Sequence, residues 1–123
     1  MTRASAIHQI EQYFDHGQFF SDLSRRVRIP TESQVPERAV DLHRYLKDEI
    51  ATELANMGFE FAIEANLVAG GGPVLIAYRE ENPANITVLT YGHADVVRGY
   101  DDQWRRDLNP WVLTQDGDRW FGR

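Results

Sequence analysis

Ile86-Thr87-Val88-Leu89-Thr90-Tyr91-Gly92-His93-Ala94-Asp95-Val96-Val97 joins a β-branched-rich apolar run to a glycine and two ionisable side chains. An apolar run without polar alternation suits a strand buried on both faces. The stretch therefore predicts a central strand over 86–91 and a loop at its carboxyl end. Working outward, Pro73-Val74-Leu75-Ile76-Ala77-Tyr78 is a second nearly continuous apolar run, also placed centrally, and Phe59-Glu60-Phe61-Ala62-Ile63-Glu64 alternates with period two. Gly70-Gly71-Gly72-Pro73 and Glu80-Glu81-Asn82-Pro83-Ala84-Asn85 read as the connecting turns.

Helical periodicity lies further upstream. Between Ser5 and Arg28 apolar residues fall at Ile7, Ile10, Phe14, Leu23 and Val27, interrupted at Gly17, which predicts two short helices or one with a break. The prolines of Ile29–Pro36 make that stretch a loop. A helix then starts near Pro36 and runs through Leu42, Leu46, Ile50 and Leu54 to Met57, with Gly58 as its C-terminal cap. Its four-residue steps align one apolar face for packing on the sheet. Downstream, Asp116-Gly117 reads as a tight turn between short strands Trp111–Thr114 and Arg119–Phe121. The expected fold class is α/β, with N-terminal helices packed on a mixed or mostly parallel sheet. A sheet of that kind needs a layer on each face and only one precedes Arg123, so residues 1–123 are expected to form the first portion of a domain rather than all of it.

Composition narrows the function. The chain has 123 residues, 42% of them apolar, enough for one modest core, and 13 Lys+Arg against 19 Asp+Glu give a formal charge of −6. Acidic balance with short, interrupted basic clusters argues against nucleic acid and against an anionic membrane as partners. With no Cys there is no disulfide, thiolate zinc site or cysteine nucleophile, so any metal here must use His and carboxylate. No signal-peptide core and no apolar stretch of spanning length is present, and a cytoplasmic location is the expectation.

Chemistry concentrates at the end of the opening run. Ligands collect at the carboxyl ends of strands in open α/β sheets. His93 and Asp95 are two apart, so in extended backbone they project to one side. A carboxylate there can accept from one imidazole nitrogen and present the other to a metal. Taken alone, the pair also suits a strand-end histidine in an ordinary hydrogen bond.

The order Thr90-Tyr91-Gly92-His93-Ala94-Asp95-Val96-Val97, Trp104, Asn109-Pro110-Trp111, Asp116-Gly117 and Trp120-Phe121-Gly122-Arg123 adds to it. So does the upstream Arg25-Arg26-Val27-Arg28-Ile29-Pro30-Thr31-Glu32-Ser33. Together they resemble the di-zinc metallopeptidase family that includes acetylornithine deacetylase, succinyl-diaminopimelate desuccinylase, aminoacylase, carnosinase and carboxypeptidase G. The resemblance implies a zinc-exopeptidase-like catalytic domain that cleaves the amide bond of a small N-acyl amino acid or short peptide. It further implies two zinc ions, with cobalt as an alternative, His93 as a metal ligand and Asp95 as the catalytic-site carboxylate that fixes its ring. The family's bridging aspartate, glutamate pair, acidic ligand and distal histidine would follow Arg123, so the chain alone is expected to be inactive.

Other candidates carry less. Adjacent side chains diverge, so Glu80-Glu81 and Asp101-Asp102 read as solvated turn acids. His8, His16 and His43 lie in helical segments without a ligand-spaced acid facing a cleft, and Ser21, Ser24 and Ser33 occupy no Gly-x-Ser-x-Gly elbow. Gly70-Gly71-Gly72 precedes a strand rather than opening a helix, so it is not a phosphate loop. Trp104, Trp111 and Trp120 read as packing residues. The alternative from a different class is a non-catalytic α/β module that associates, as a homodimer or otherwise, through an uncovered sheet face. In a further variant, two copies would each contribute His93 to one metal.

Overall fold

The computed structural model describes residues 2–123. In chain order, α1 (Arg3–Asp15) and α2 (Gln18–Val27) are followed by a helical stretch that opens as a 3-10 turn, Pro36–Arg38. That stretch continues as α3 (Ala39–Arg44), a π-helical segment (Tyr45–Ala51) and α4 (Thr52–Asn56). Strands β1 (Glu60–Glu64) and β2 (Val74–Tyr78), a 3-10 turn (Asp101–Gln103), then β3 (Thr114–Asp116) and β4 (Arg119–Phe121) complete it. The chain divides into two compact units: residues up to Ile29 with Tyr100–Arg123, and Pro30–Gly99.

In the first unit, Thr2 and Ser5 cap α1 reciprocally. The Ser5 N–H donates to Thr2 Oγ1 at 3.2 Å and the Thr2 N–H to Ser5 Oγ at 3.0 Å, which satisfies two otherwise orphaned amides. Gly17, at φ +74°, turns the chain into α2, so the predicted break separates two helices. Asp22 locks this corner by accepting from Tyr13 Oη and from Arg25 Nη1, both at 2.7 Å. Phe14, Phe19 and Phe20 meet Trp120 of β4, with ring centroids 5.6, 5.8 and 5.0 Å away. Trp120 therefore packs against helix side chains, as anticipated for this one of the three tryptophans. The predicted hairpin forms, shifted on its first side: β3 is Thr114–Asp116 rather than 111–114, and Asp116 pairs with Arg119. Gly117 supplies the positive φ, +61°, that a two-residue hairpin loop needs at its first position.

The second unit begins with the proline-opened helix. Four-residue steps drift around an α-helix of 3.6 residues per turn. A wider π-helical segment at Tyr45–Ala51 reduces that drift and keeps Leu42, Leu46, Ile50 and Leu54 nearer one face. The helix closes on Gly58 at φ +81°, with Gly58 N–H donating to Ala55 O at 2.9 Å and Phe59 N–H to Leu54 O at 3.0 Å. This pair of bonds is the Schellman arrangement, which satisfies terminal carbonyls and needs a residue without Cβ. Strands β1 and β2 pair antiparallel from Glu60↔Tyr78 to Glu64↔Val74. The loop between them turns on Asn66, which accepts from Val68 N–H at 2.9 Å and donates to Gly72 O at 3.1 Å.

Helices and strands thus combine as expected, but the mixed or mostly parallel sheet does not. Both sheets are two-stranded and antiparallel, and the parallel pairing among the described residues is the isolated bridge Glu32↔Val96. The central strand expected at 86–91 is absent as well. That stretch has no regular structure, and Ile86 and Leu89 are 89% and 94% exposed. A strand apolar on both faces is held by layers on both faces, and residues 30–99 supply one helical layer. No helix among the described residues is long and apolar enough to cross a membrane.

Candidate functional site

His93 and Asp95 lie in the second unit, on the irregular segment that follows Tyr91. They border a cleft of about 710 Å³ whose apolar wall comes from the helix side chains Leu42, Leu46, Ile50 and Leu54. Leu75 and Ala77 of β2 also line it, and Ser33, His93 and Asp95 bring polar groups to it.

The His93 ring meets Asp95 twice. Nδ1 is 2.9 Å from the Asp95 main-chain oxygen and 3.4 Å from carboxylate Oδ1. Both are acceptors, so these contacts assign a proton to Nδ1, and in the neutral ring that leaves the Nε2 lone pair for another partner. The nearer acceptor is thus the main-chain carbonyl, with the carboxylate behind it. The His93 side chain is 72% exposed and that of Asp95 44%.

The other carboxylate oxygen, Oδ2, accepts from the Ser33 hydroxyl at 2.6 Å. This hydrogen bond holds the Asp95 carboxyl below its ordinary range. Partial burial opposes it, and Asp95's own amide and the neighbouring imidazole add to it. Ser33 entered the sequence reading as the end of the Arg25–Ser33 stretch and as a rejected nucleophile, not as a partner of Asp95. No local pattern joins two residues 62 positions apart, so its link to Asp95 had no signal in the sequence.

The remaining candidates occupy other surroundings. His8 on α1, His16 at its C-terminal cap and His43 on α3 are exposed. Glu80 accepts from Tyr78 Oη at 2.8 Å and Glu81 pairs with Arg79 at 2.7 Å, while Asp101 accepts from Trp111 Nε1 at 3.0 Å. These acids tie turns together. Among the described residues no three His, Asp or Glu side chains lie together as a metal-holding group. A catalytic zinc takes about three protein ligands with one position left open. Residues 2–123 by themselves therefore do not fit a zinc or cobalt ion, and His93 is a single ligand at most.

No protein-family model matches this chain, and a search of curated proteins finds no match.

Proposed function

We propose that this chain is the N-terminal part of the catalytic domain of a zinc-dependent amidohydrolase or metallopeptidase. The whole enzyme would cleave amide bonds in small N-acyl amino acids or short peptides. The observation that carries the reading is the state of His93, whose Nδ1 is engaged by Asp95 so that Nε2 can serve a metal. In this reading His93 is one ligand, Asp95 fixes its ring, and the remaining ligands come from residues other than 2–123. The sequence likeness around His93 supports the substrate class. The chain on its own contributes orientation and part of an apolar cleft, and hydrolysis is not assigned to it. Reading the coding sequence beyond the codon for Arg123 tests this. The expected result is an aspartate within a few codons and, later, a Glu-Glu pair; a stop codon directly after Arg123 would overturn it.

A second reading has its own observation. Val74, Ile76 and Tyr78 share the outer face of β2 and are all substantially exposed, as are Ile86, Val88 and Leu89. Apolar surface of this kind favours association, so the chain would act as a non-catalytic module that pairs through this face. Light scattering separates the readings: a mass that stays monomeric across concentrations counts against association.

A further inference from the structure

We propose that the tripeptide Thr31-Glu32-Ser33 is the positioning element of the His93 site, gripping the 95–99 segment so that both acceptors facing the imidazole are fixed. The inference deepens the reading of His93 as a ligand and rests on it for the use made of Nε2, while the grip itself needs no metal.

Each of the three residues makes its own contact. The Thr31 carbonyl accepts from Val96 N–H at 2.9 Å. That amide belongs to the same peptide plane as the Asp95 carbonyl, and in a trans peptide N–H and C=O point in opposite directions. Anchoring Val96 N–H on Thr31 therefore aims the Asp95 carbonyl away from Thr31, and there it meets His93 Nδ1 at 2.9 Å. Ser33 holds the second acceptor, binding Asp95 Oδ2 and leaving Oδ1 toward the ring. Glu32 secures the far end of the segment, with Oε1 accepting from Gly99 N–H at 2.8 Å and Oε2 facing Arg38 Nε at 3.3 Å.

Burial makes the grip stiff. Thr31 is 3% exposed and Glu32 7%, whereas His93 stands out in solvent. A buried carboxylate is retained only where it is paired, and Glu32 has both a cation and a main-chain donor. The loop thus carries a buried anchor at 31–32 and an exposed hydroxyl at 33 that reaches the site. Ser33 acts through Asp95 and is a positioning residue.

The test reads the imidazole tautomer by 15N NMR of the histidine-labelled chain, at a pH high enough that the His93 ring signals no longer change with pH. The expected result is a single Nδ1–H signature for His93. Ser33→Ala frees the carboxylate but leaves the Thr31-anchored carbonyl, so the signature is expected to weaken measurably toward the other tautomer without being lost, and in Ser33→Thr, which keeps the hydroxyl, it returns. An unchanged Nδ1–H signature in Ser33→Ala overturns the proposal and leaves the ligand role of His93 standing. A mixed tautomer in the unaltered chain overturns both. Amide hydrogen exchange in the unaltered chain gives a reading independent of any variant's folding: Val96 and Gly99 are expected to exchange at least tenfold more slowly than Leu89, and equal rates overturn the grip.

Discussion

Asp22 accepts two hydrogen bonds, first from Tyr13 and then from Arg25, and they hold its carboxyl below the ordinary value of 3.8. A group whose folded value is depressed stabilises the fold in full above its unfolded value, and that contribution is lost as pH falls through the folded one. The thermal midpoint is therefore expected to fall as pH drops from about 5 to 2, with a shallower fall in Asp22→Asn. Gly58 invites a second single-residue test. At φ +81° an added Cβ meets the left-handed penalty, so Gly58→Ala should cost about 1–2 kcal/mol in chemical denaturation, while the nearest atom to that Cβ, Arg79 Nε at 3.9 Å, is at ordinary contact distance and excludes a steric clash as the cause. At this scale legibility followed locality. Gly17 and Gly58 could be read because a positive φ is a demand made by neighbouring residues on one position. The bond between Ser33 and Asp95 spans 62 positions and depends on how two loops come together, which no short pattern records.

Among the elements, the hairpin β3–β4 and helices α1 and α2 share Trp120, set among three phenylalanine rings. Trp120→Ala should lower stability by about 3 kcal/mol, and Trp120→Phe by less, because the smaller ring keeps part of the stacking. Urea denaturation followed by circular dichroism measures both. The helices were legible from 3.6-residue periodicity and their glycine punctuation, and β1 and β2 from alternation and an apolar run. Ile86–Tyr91 carries the same strand signal as β2, yet it pairs with nothing. Propensity states what a segment would do once covered, and burial on both faces is a property of the surrounding layers. The parallel order expected from two apolar runs failed for the same cause, since β2 pairs with the nearby β1 through an antiparallel connection. The π-helical segment Tyr45–Ala51 had only an indirect trace, the four-residue step of its apolar side chains.

For the molecule as a whole, an uncovered apolar stretch and a lone oriented histidine lie in one unit. Each has a use if further protein surrounds it: the first as buried strand, the second as one ligand among several. The isolated chain is accordingly expected to show no hydrolysis of N-acyl amino acids or dipeptides after loading with zinc or cobalt, in a sensitive amine-release assay. Metal-dependent activity that is lost in His93→Ala would show instead that 2–123 contain a working centre. The most direct test expresses the complete reading frame that contains this chain and compares zinc-dependent amide hydrolysis in the parent and in His93→Ala. A role as ligand requires activity in the parent and a loss of at least about a hundredfold in the variant, since removing one ligand disrupts both binding and geometry. Zinc-dependent hydrolysis undiminished in His93→Ala would contradict it.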